Sequence, residues 1–140
     1  MSRSGIRRVM MTADAVGGVW TYALELAAGL GARGVSTLVA VLGPAPTARQ
    51  TADAARVPGL CLAATGLDLE WRDKRGPDPE AARRLASLAR GFAPDLVQVN
   101  GFREAACDWG VPVVLVAHSC VGSWWRACRD GEALPAEWAA

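Results

Sequence analysis

The chain of 140 residues is long enough for one domain with a sizeable hydrophobic core. Its 51% hydrophobic and 21% charged residues are typical of a globular protein, and a formal net charge of +1 argues against an electrostatic nucleic-acid binder. No apolar stretch is long enough to cross a bilayer, and the N-terminal residues lack the apolar core of a signal peptide. These features predict a cytoplasmic protein with no nucleic-acid partner and no transmembrane segment.

Short apolar runs alternate along the chain with segments in which apolar residues recur every three or four positions. The short runs predict strands and the periodic segments predict helices. Pro79 after Asp78 marks a helix start, and Gly34 marks a helix end. The predicted strands are 6–11, 35–42, 60–64, 95–99 and 113–117, of which 35–42 and 113–117 are expected to be buried. The predicted helices are 19–33, 47–56, 79–93 and 123–129, with 102–109 short or irregular, 65–78 an exposed loop and 135–140 the start of a further helix.

This alternation of strands and helices favours right-handed βαβ units and a parallel sheet. The predicted fold is therefore α/β: one Rossmann-like, three-layer domain over residues 1–140, with strand order 3-2-1-4-5. In such sheets ligands bind beyond the carboxyl ends of the strands, at the point where the strand order reverses. Here that point lies between the first and the fourth strand.

Polar residues and glycines follow three of the predicted strands at this edge, although the strands themselves are apolar. Two glycines open the first predicted helix, where free backbone N–H groups and a partial positive charge suit a phosphate or a polar sugar. The alternative is that they form a plain β–α turn. The candidate binding residues are Asp14, Gly17 and Gly18 after the first strand, Asn100 after the fourth, and His118 and Ser119 after the fifth.

His118 is the chain's sole histidine, so it cannot belong to a His-rich metal site. A lone histidine is often structural, but a position directly after a buried strand favours contact with a ligand. A zinc site built from His118 and three cysteines would need spacings that match no common pattern. The cysteines are instead predicted to be small buried hydrophobes. They are Cys61, Cys107, Cys120 and Cys128.

Two further motifs carry little functional weight. A Gly-x-Gly-x-x-Gly match at residues 29–34 closes a predicted helix instead of following a strand, so it does not indicate a nicotinamide cofactor. Trp124 and Trp125 could form a stacking surface for a sugar ring. The favoured interpretation is that one indole packs in the core and the other packs against another domain.

Several segments, taken together, resemble the N-terminal domain of family 4 glycosyltransferases, which have the GT-B fold. They are residues 10–27, 94–101, 113–120 and 123–126, which occur in the expected order and span nearly the whole chain. The double-glycine loop followed by a helix bearing Tyr22 and Glu25 is fairly specific. The Pro-Asp-Leu-Val strand at 94–97 is common and less specific.

This resemblance implies a retaining transferase that moves a sugar from a nucleotide-sugar donor to an acceptor. Gly17 and Gly18 match the loop that approaches the donor phosphates or the acceptor, and His118 matches a histidine near the transferred sugar. The N-terminal domain mainly holds the acceptor. The resemblance implies no cofactor and no catalytic metal, with the nucleotide sugar acting as substrate.

The chain departs from the family by lacking the second Rossmann-like domain, which carries most of the nucleotide-sugar site. We therefore expect a truncated, acceptor-side half that is inactive alone, or one half of a split enzyme whose partner is a separate C-terminal half. The alternative is a non-catalytic Rossmann-like domain that serves binding or interaction. The sugar, the nucleotide and the acceptor are left open.

Overall fold

A computed structural model describes residues 5–69, 78–118 and 121–136 of the chain. Strands and helices alternate along these ranges, close to the predicted positions. The strands are β1 (Arg8–Asp14), β2 (Ser36–Leu42), β3 (Leu60–Ala64), β4 (Leu96–Val99) and β5 (Val113–Leu115). The helices are α1 (Gly18–Gly31), α2 (Ala48–Ala54), α3 (Pro79–Phe92), α4 (Phe102–Ala105) and α5 (Val121–Cys128). The helix predicted to start at residue 135 lies mostly outside the described residues.

The five strands form one parallel sheet in the order β3-β2-β1-β4-β5, which confirms the predicted α/β fold and strand order. β1 is the central strand, and its Met10 stands opposite Leu38 of β2 and Val97 of β4. The strand order reverses at β1, because the chain goes to β2 on one side and later returns to β4 on the other. The reversal of strand order at β1 is therefore present, as predicted.

A hydrophobic layer covers each face of the sheet. Met10 and Val97 point to the face covered by α3 through Leu85. Met11 points to the opposite face, which α1 covers through Ala23. Successive side chains of a strand point to opposite faces, so the continuous apolar runs of β1 and β2 fill both layers. The result is the expected three-layer arrangement.

The fifth strand does not match its prediction. β5 ends at Leu115, two residues early, and Val113, Val114 and Leu115 are 40%, 44% and 40% exposed. The expectation of a buried strand is wrong for the described part of the chain. An apolar sequence makes burial of a strand favourable. The strand is buried only if other parts of the protein pack against both of its faces. β5 lies at the edge of the sheet, beside β4 alone among the described strands.

The cysteines and the paired tryptophans also differ from expectation. Cys61, on the edge strand β3, and Cys128 are exposed, so neither is a buried hydrophobe. Cys107 is half-buried, and burial raises the pKa of its thiol. Cys120 lies outside the described residues.

Trp124 is exposed and packs edge-on against Trp125, with ring centroids 6.4 Å apart. The guanidinium of Arg129 lies over both rings. Neither indole belongs to the two core layers, so the expectation that one packs in the core is wrong.

The glycine motif at residues 29–34 closes α1, as predicted. Gly34 has a left-handed φ of 76°, its N–H donates to the Gly31 carbonyl, and the Val35 N–H donates to the Leu30 carbonyl. These two bonds complete a C-terminal cap of the Schellman type. A Cβ on Gly31 would overlap the carbonyl oxygen of Pro58. The motif therefore serves helix termination and packing.

None of the helices in the described ranges is both long and apolar enough to span a membrane.

Replacing Gly31 with alanine should destabilise the protein, because the new Cβ meets the backbone of Pro58, which cannot move without shifting the chain. Overpacking of this kind costs about 1–3 kcal/mol. Gly29→Ala is the matched control in the same helix, where the nearest atom is the Arg33 side chain at 3.8 Å. That control should be neutral or stabilising by up to about 1 kcal/mol. Urea unfolding measures both, and equal effects would contradict the packing role.

Candidate functional site

The candidate site lies at the carboxyl edge of the sheet, where β1 and β4 end. Asp14 is the last residue of β1, Asn100 follows β4 directly, and His118 follows β5 by three residues. The structure brings Asn100 and His118 into contact, with the histidine Nε2 2.8 Å from the Asn100 Oδ1. Asp14 is close enough to interact electrostatically with His118. Three residues that are distant in sequence therefore converge, as the sequence predicts.

Asn100 links the two central strands at this edge. Its Nδ2 donates to the carbonyl oxygen of Thr12 at 2.7 Å, and its backbone N–H donates to the Thr12 hydroxyl at 3.3 Å. Thr12 is buried in β1. Because both ends of Asn100 are tied to the same residue of β1, its side chain has little freedom. His118 is thus anchored to the middle of the sheet through Asn100.

A second contact ties His118 to helix α1. Its ring packs edge-on against Tyr22, with ring centroids 4.8 Å apart and an interplanar angle of 73°. The Tyr22 hydroxyl accepts a hydrogen bond from the Gln98 Nε2 at 3.3 Å, and the same Nε2 lies 3.3 Å from the Asn100 Oδ1. Gln98 is buried on the α1 side of β4. This polar side chain therefore joins the helix, the strand and the site residue.

The loop between β1 and α1 is held from two directions. The Asp14 Oδ1 accepts a hydrogen bond from the Val16 N–H at 2.8 Å. The Gln50 Nε2 donates to the Ala15 carbonyl at 2.7 Å. Gln50 is itself fixed by a reciprocal capping box with Thr47 at the start of α2. The loop that presents the glycines therefore has a defined conformation.

Gly17 has backbone angles that favour glycine strongly. Its φ is 89° and its ψ is −152°, in a region that other residues essentially never occupy. A Cβ at Gly17 or at Gly18 would meet no atom of the described residues within 4 Å, so the requirement is conformational and, as far as these residues go, the space in front of both glycines is open. No side chain caps the start of α1. Backbone N–H groups at this helix start are consequently accessible, one turn before Tyr22.

The carboxyl group of Asp14 titrates abnormally. Burial raises its pKa above the ordinary value, while the hydrogen bond from Val16 and the nearby His118 lower it in part. Burial is the largest of these effects because the group sits at the mouth of the sheet, partly out of water. A carboxylate retained in such a place weakens the fold at neutral pH.

The structure adds neighbours to the predicted set of site residues, and it does not describe one member of that set. Ser119 lies outside the described residues. Tyr22 and Gln98 were missed as site residues. Gln98 could have been found as the polar interruption of an apolar strand, and Tyr22 as the residue one turn after the double glycine. Among the described residues no group of three or more His, Cys, Asp or Glu side chains could hold a metal ion, and Cys120, one of the four residues of the zinc alternative, lies outside them.

Comparisons with known proteins connect this geometry to a family. The model of Glycosyltransferase Family 4 matches residues 16–138. Among curated proteins none matches the chain significantly. Two of the solved structures that share its fold illustrate the match. They are a Phytolacca americana UGT2 complexed with UDP-2fluoro-glucose and pterostilbene, with a TM-score of 0.58 and 16% identity, and a glycosyltransferase from Rickettsia africae ESF-5, with a TM-score of 0.54 and 12% identity.

The matches differ greatly in length from this chain. They cover 81% and 88% of this chain, but 30% and 33% of the two solved proteins respectively. The chain therefore spans about a third of the length of the structures that it matches.

Replacing Asp14 with asparagine should stabilise the protein at neutral pH. Folding raises the pKa of the Asp14 carboxyl, so the free energy of unfolding falls as the pH increases through that raised pKa. The neutral amide of asparagine carries no charge at pH 7 and avoids this loss of stability. Asp95→Asn is the matched control with the opposite sign. Hydrogen bonds from the backbone N–H groups of Arg7 and Arg8 lower the pKa of Asp95, so its carboxylate stabilises the fold at neutral pH. This stabilisation is lost as the pH falls through the lowered pKa, and Asp95→Asn should therefore be less stable than the parent at pH 7.

Thermal melts of the parent and both variants between acidic and neutral pH measure these effects. The difference between Asp14→Asn and the parent should vanish at low pH, where the parent carboxyl is protonated. A destabilised Asp14→Asn protein at pH 7 would contradict the assignment.

Proposed function

Because the chain belongs to glycosyltransferase family 4, we propose that it is the N-terminal, acceptor-side half of a retaining glycosyltransferase. Such an enzyme moves a sugar from a nucleotide-sugar donor to an acceptor. The observation that carries the proposal is the meeting of the α1 N-terminus, Asn100 and His118 at one edge of the sheet. This is the edge at which folds of this class bind ligands.

The N-terminus of α1 is proposed to receive a polar group of the donor or the acceptor. Its first backbone N–H groups lack intrahelical partners, and the helix dipole places a partial positive charge there. The conformation of Gly17 and the open space in front of Gly17 and Gly18 let a ligand approach these groups closely. A diphosphate oxygen suits this position best, because it is both negative and a strong hydrogen-bond acceptor.

His118 is proposed to lie beside the transferred sugar. His118 is exposed, but its Nε2 is hydrogen-bonded to Asn100 and its ring packs against Tyr22 in a T-shaped contact. A group fixed in this way is already oriented before the ligand arrives, so it needs no reorganisation as charge develops during the reaction. Asp14 and Asn100 complete the polar wall on the side of β1 and β4.

The remaining part of the donor site is proposed to come from a second Rossmann-like unit, in a longer form of the chain or in a separate polypeptide. The solved structures that share this fold are about three times as long as the chain. A donor held from one side only would leave its nucleotide without specific contacts. We therefore propose that residues 1–140 bind substrate weakly and do not complete the transfer alone.

A turnover experiment tests the proposal. Residues 1–140 are fused to the C-terminal domain of a family 4 glycosyltransferase and incubated with a panel of nucleotide sugars and acceptors. The fusion should release nucleotide diphosphate, and residues 1–140 alone should not. His118→Ala in the fusion should lower kcat by about a hundredfold or more, as does removal of other preorganised polar groups at a reaction centre, and His118→Gln, which keeps a polar group there, should recover part of the loss.

Circular dichroism and melting temperature should stay close to the parent in both His118 variants, since the ring is exposed. Unchanged kcat in a folded His118→Ala fusion would remove His118 from the reaction centre. Sustained turnover by residues 1–140 alone would show that the domain is self-sufficient. A folded fusion that binds but never transfers sugar would favour a non-catalytic binding domain.

Gly17→Val should weaken ligand binding by the fusion far more than it weakens folding. A branched side chain cannot adopt the backbone angles of Gly17 without strain of about 1–3 kcal/mol, and it would also cover the helix start. Gly110→Val is the matched control: Gly110 has a φ of 64° and open space around its Cβ position, but it precedes β5 at the opposite edge of the sheet. Calorimetric binding and urea unfolding separate the two effects, and parallel losses in both variants would point to a structural turn.

A further inference from the structure

The orientation of the Asn100 amide follows from its neighbours. One end of the amide lies 2.7 Å from the carbonyl oxygen of Thr12. A carbonyl oxygen can only accept, so this end must be the NH₂ group and the other end must be the oxygen. The Gln98 Nε2, a donor, also lies 3.3 Å from that other end, which agrees with the same assignment. Asn100 therefore presents an acceptor to His118.

This assignment fixes the hydrogen position on His118. The Nε2 atom lies 2.8 Å from the Asn100 Oδ1, which can only accept, so Nε2 must carry a hydrogen. A neutral imidazole carries one hydrogen, and its other nitrogen is then an acceptor. Asn100 is the sole hydrogen-bond partner of His118 within the described ranges. Nδ1 is accordingly left as a bare acceptor.

The plane of the ring is fixed as well. Tyr22 packs edge-on against it at 4.8 Å, and the Tyr22 hydroxyl is held by Gln98, whose amide also reaches Asn100. Two independent contacts, one polar and one aromatic, therefore determine how the imidazole is turned. The direction of Nδ1 is set by the protein before any ligand binds.

We propose that Asn100 is a positioning residue that holds His118 in the Nε2–H tautomer and so makes Nδ1, a hydrogen-bond acceptor, the atom offered to the ligand. This inference rests on the proposed function for the identity of the ligand. Its consequence is that the group opposite neutral His118 is a hydroxyl, such as a sugar hydroxyl, which can donate. A phosphate oxygen has no hydrogen to give and belongs at the α1 N-terminus instead.

The experiment needs no ligand and no activity, so its result is independent of the proposed function. Because the chain has one histidine, a ¹⁵N-labelled sample gives a single imidazole in long-range ¹H–¹⁵N spectra. At a pH where the ring is neutral, Nε2 should show the shift of a protonated nitrogen and Nδ1 that of an unprotonated one. Contacts between the His118 and Tyr22 ring protons should confirm the packing, since each residue type occurs once.

Variants of Asn100 supply the contrast. Asn100→Ala removes the acceptor, so the two tautomers should exchange and both nitrogen shifts should move toward each other. Asn100→Asp keeps an acceptor oxygen for the His118 Nε2–H and should retain the parent pattern, with protonation of the ring shifted to higher pH by the added charge. Its second carboxylate oxygen cannot donate to the Thr12 carbonyl, so this variant should also be less stable than the parent. Among the residues that the structure describes, the other titratable groups facing the ring are Asp14 and Tyr22. Tyr22→Phe is the control: it keeps the ring contact, so the tautomer should be unchanged.

An Nδ1–H tautomer in the parent would overturn the proposal without any variant. A folded Asn100→Ala protein with the parent shifts would do the same, because it would show that Asn100 does not select the tautomer. If Asn100→Ala does not fold, an Nδ1–H tautomer in the Asn100→Asp protein, which keeps the acceptor, would also overturn the proposal.

Discussion

The parallel pairing of β1 with β2 on one side and β4 on the other is the constraint on which the rest of the structure depends. From β1 the chain crosses one face of the sheet through α1, and it returns to β4 across the opposite face through α3. The segments that leave the carboxyl ends of β1 and β4 therefore run to opposite faces of the sheet, and a crevice is expected where they separate. Thr12 and Asn100 meet at this point.

The polar groups at this point are also structural. Thr12 and Gln98 are buried, and a buried polar group without a partner costs free energy. Their partners are residues of the candidate site: Asn100 for Thr12, and Asn100 together with Tyr22 for Gln98. The hydrogen bonds that pair the buried polar groups of Thr12 and Gln98 are thus the ones that fix Asn100 and Tyr22, which orient His118. Folding and preorganisation of the site draw on the same hydrogen bonds.

The strand order and the position of the candidate site could be predicted from the sequence, because both follow from local patterns of apolar and polar residues. The apolar runs located the strands, and polar residues directly after them located Asp14, Asn100 and His118 at one edge. The failures concern properties that depend on distant parts of the molecule. Whether β5 is buried depends on what covers it, and whether Cys61 is buried depends on its place in an edge strand.

The contacts inside the site were beyond sequence reasoning for a related reason. Gln98 and Tyr22 are separated by 76 residues, and their hydrogen bond exists only because α1 lies across the face of β4 to which Gln98 points. The spacing of residues along the chain therefore does not predict the hydrogen bond between Gln98 and Tyr22. The same is true of the sign of the Asp14 pKa shift, which is set by the degree of burial at the mouth of the sheet.

The exposed fifth strand has a consequence for how the chain behaves in solution. One side of β5 pairs with β4, and in the described part of the chain its other side meets no strand. A short run of Val-Val-Leu with free backbone donors and acceptors and no charge is a template for a strand from another molecule. Natural sheets guard such edges with charged side chains, of which Val113–Leu115 has none.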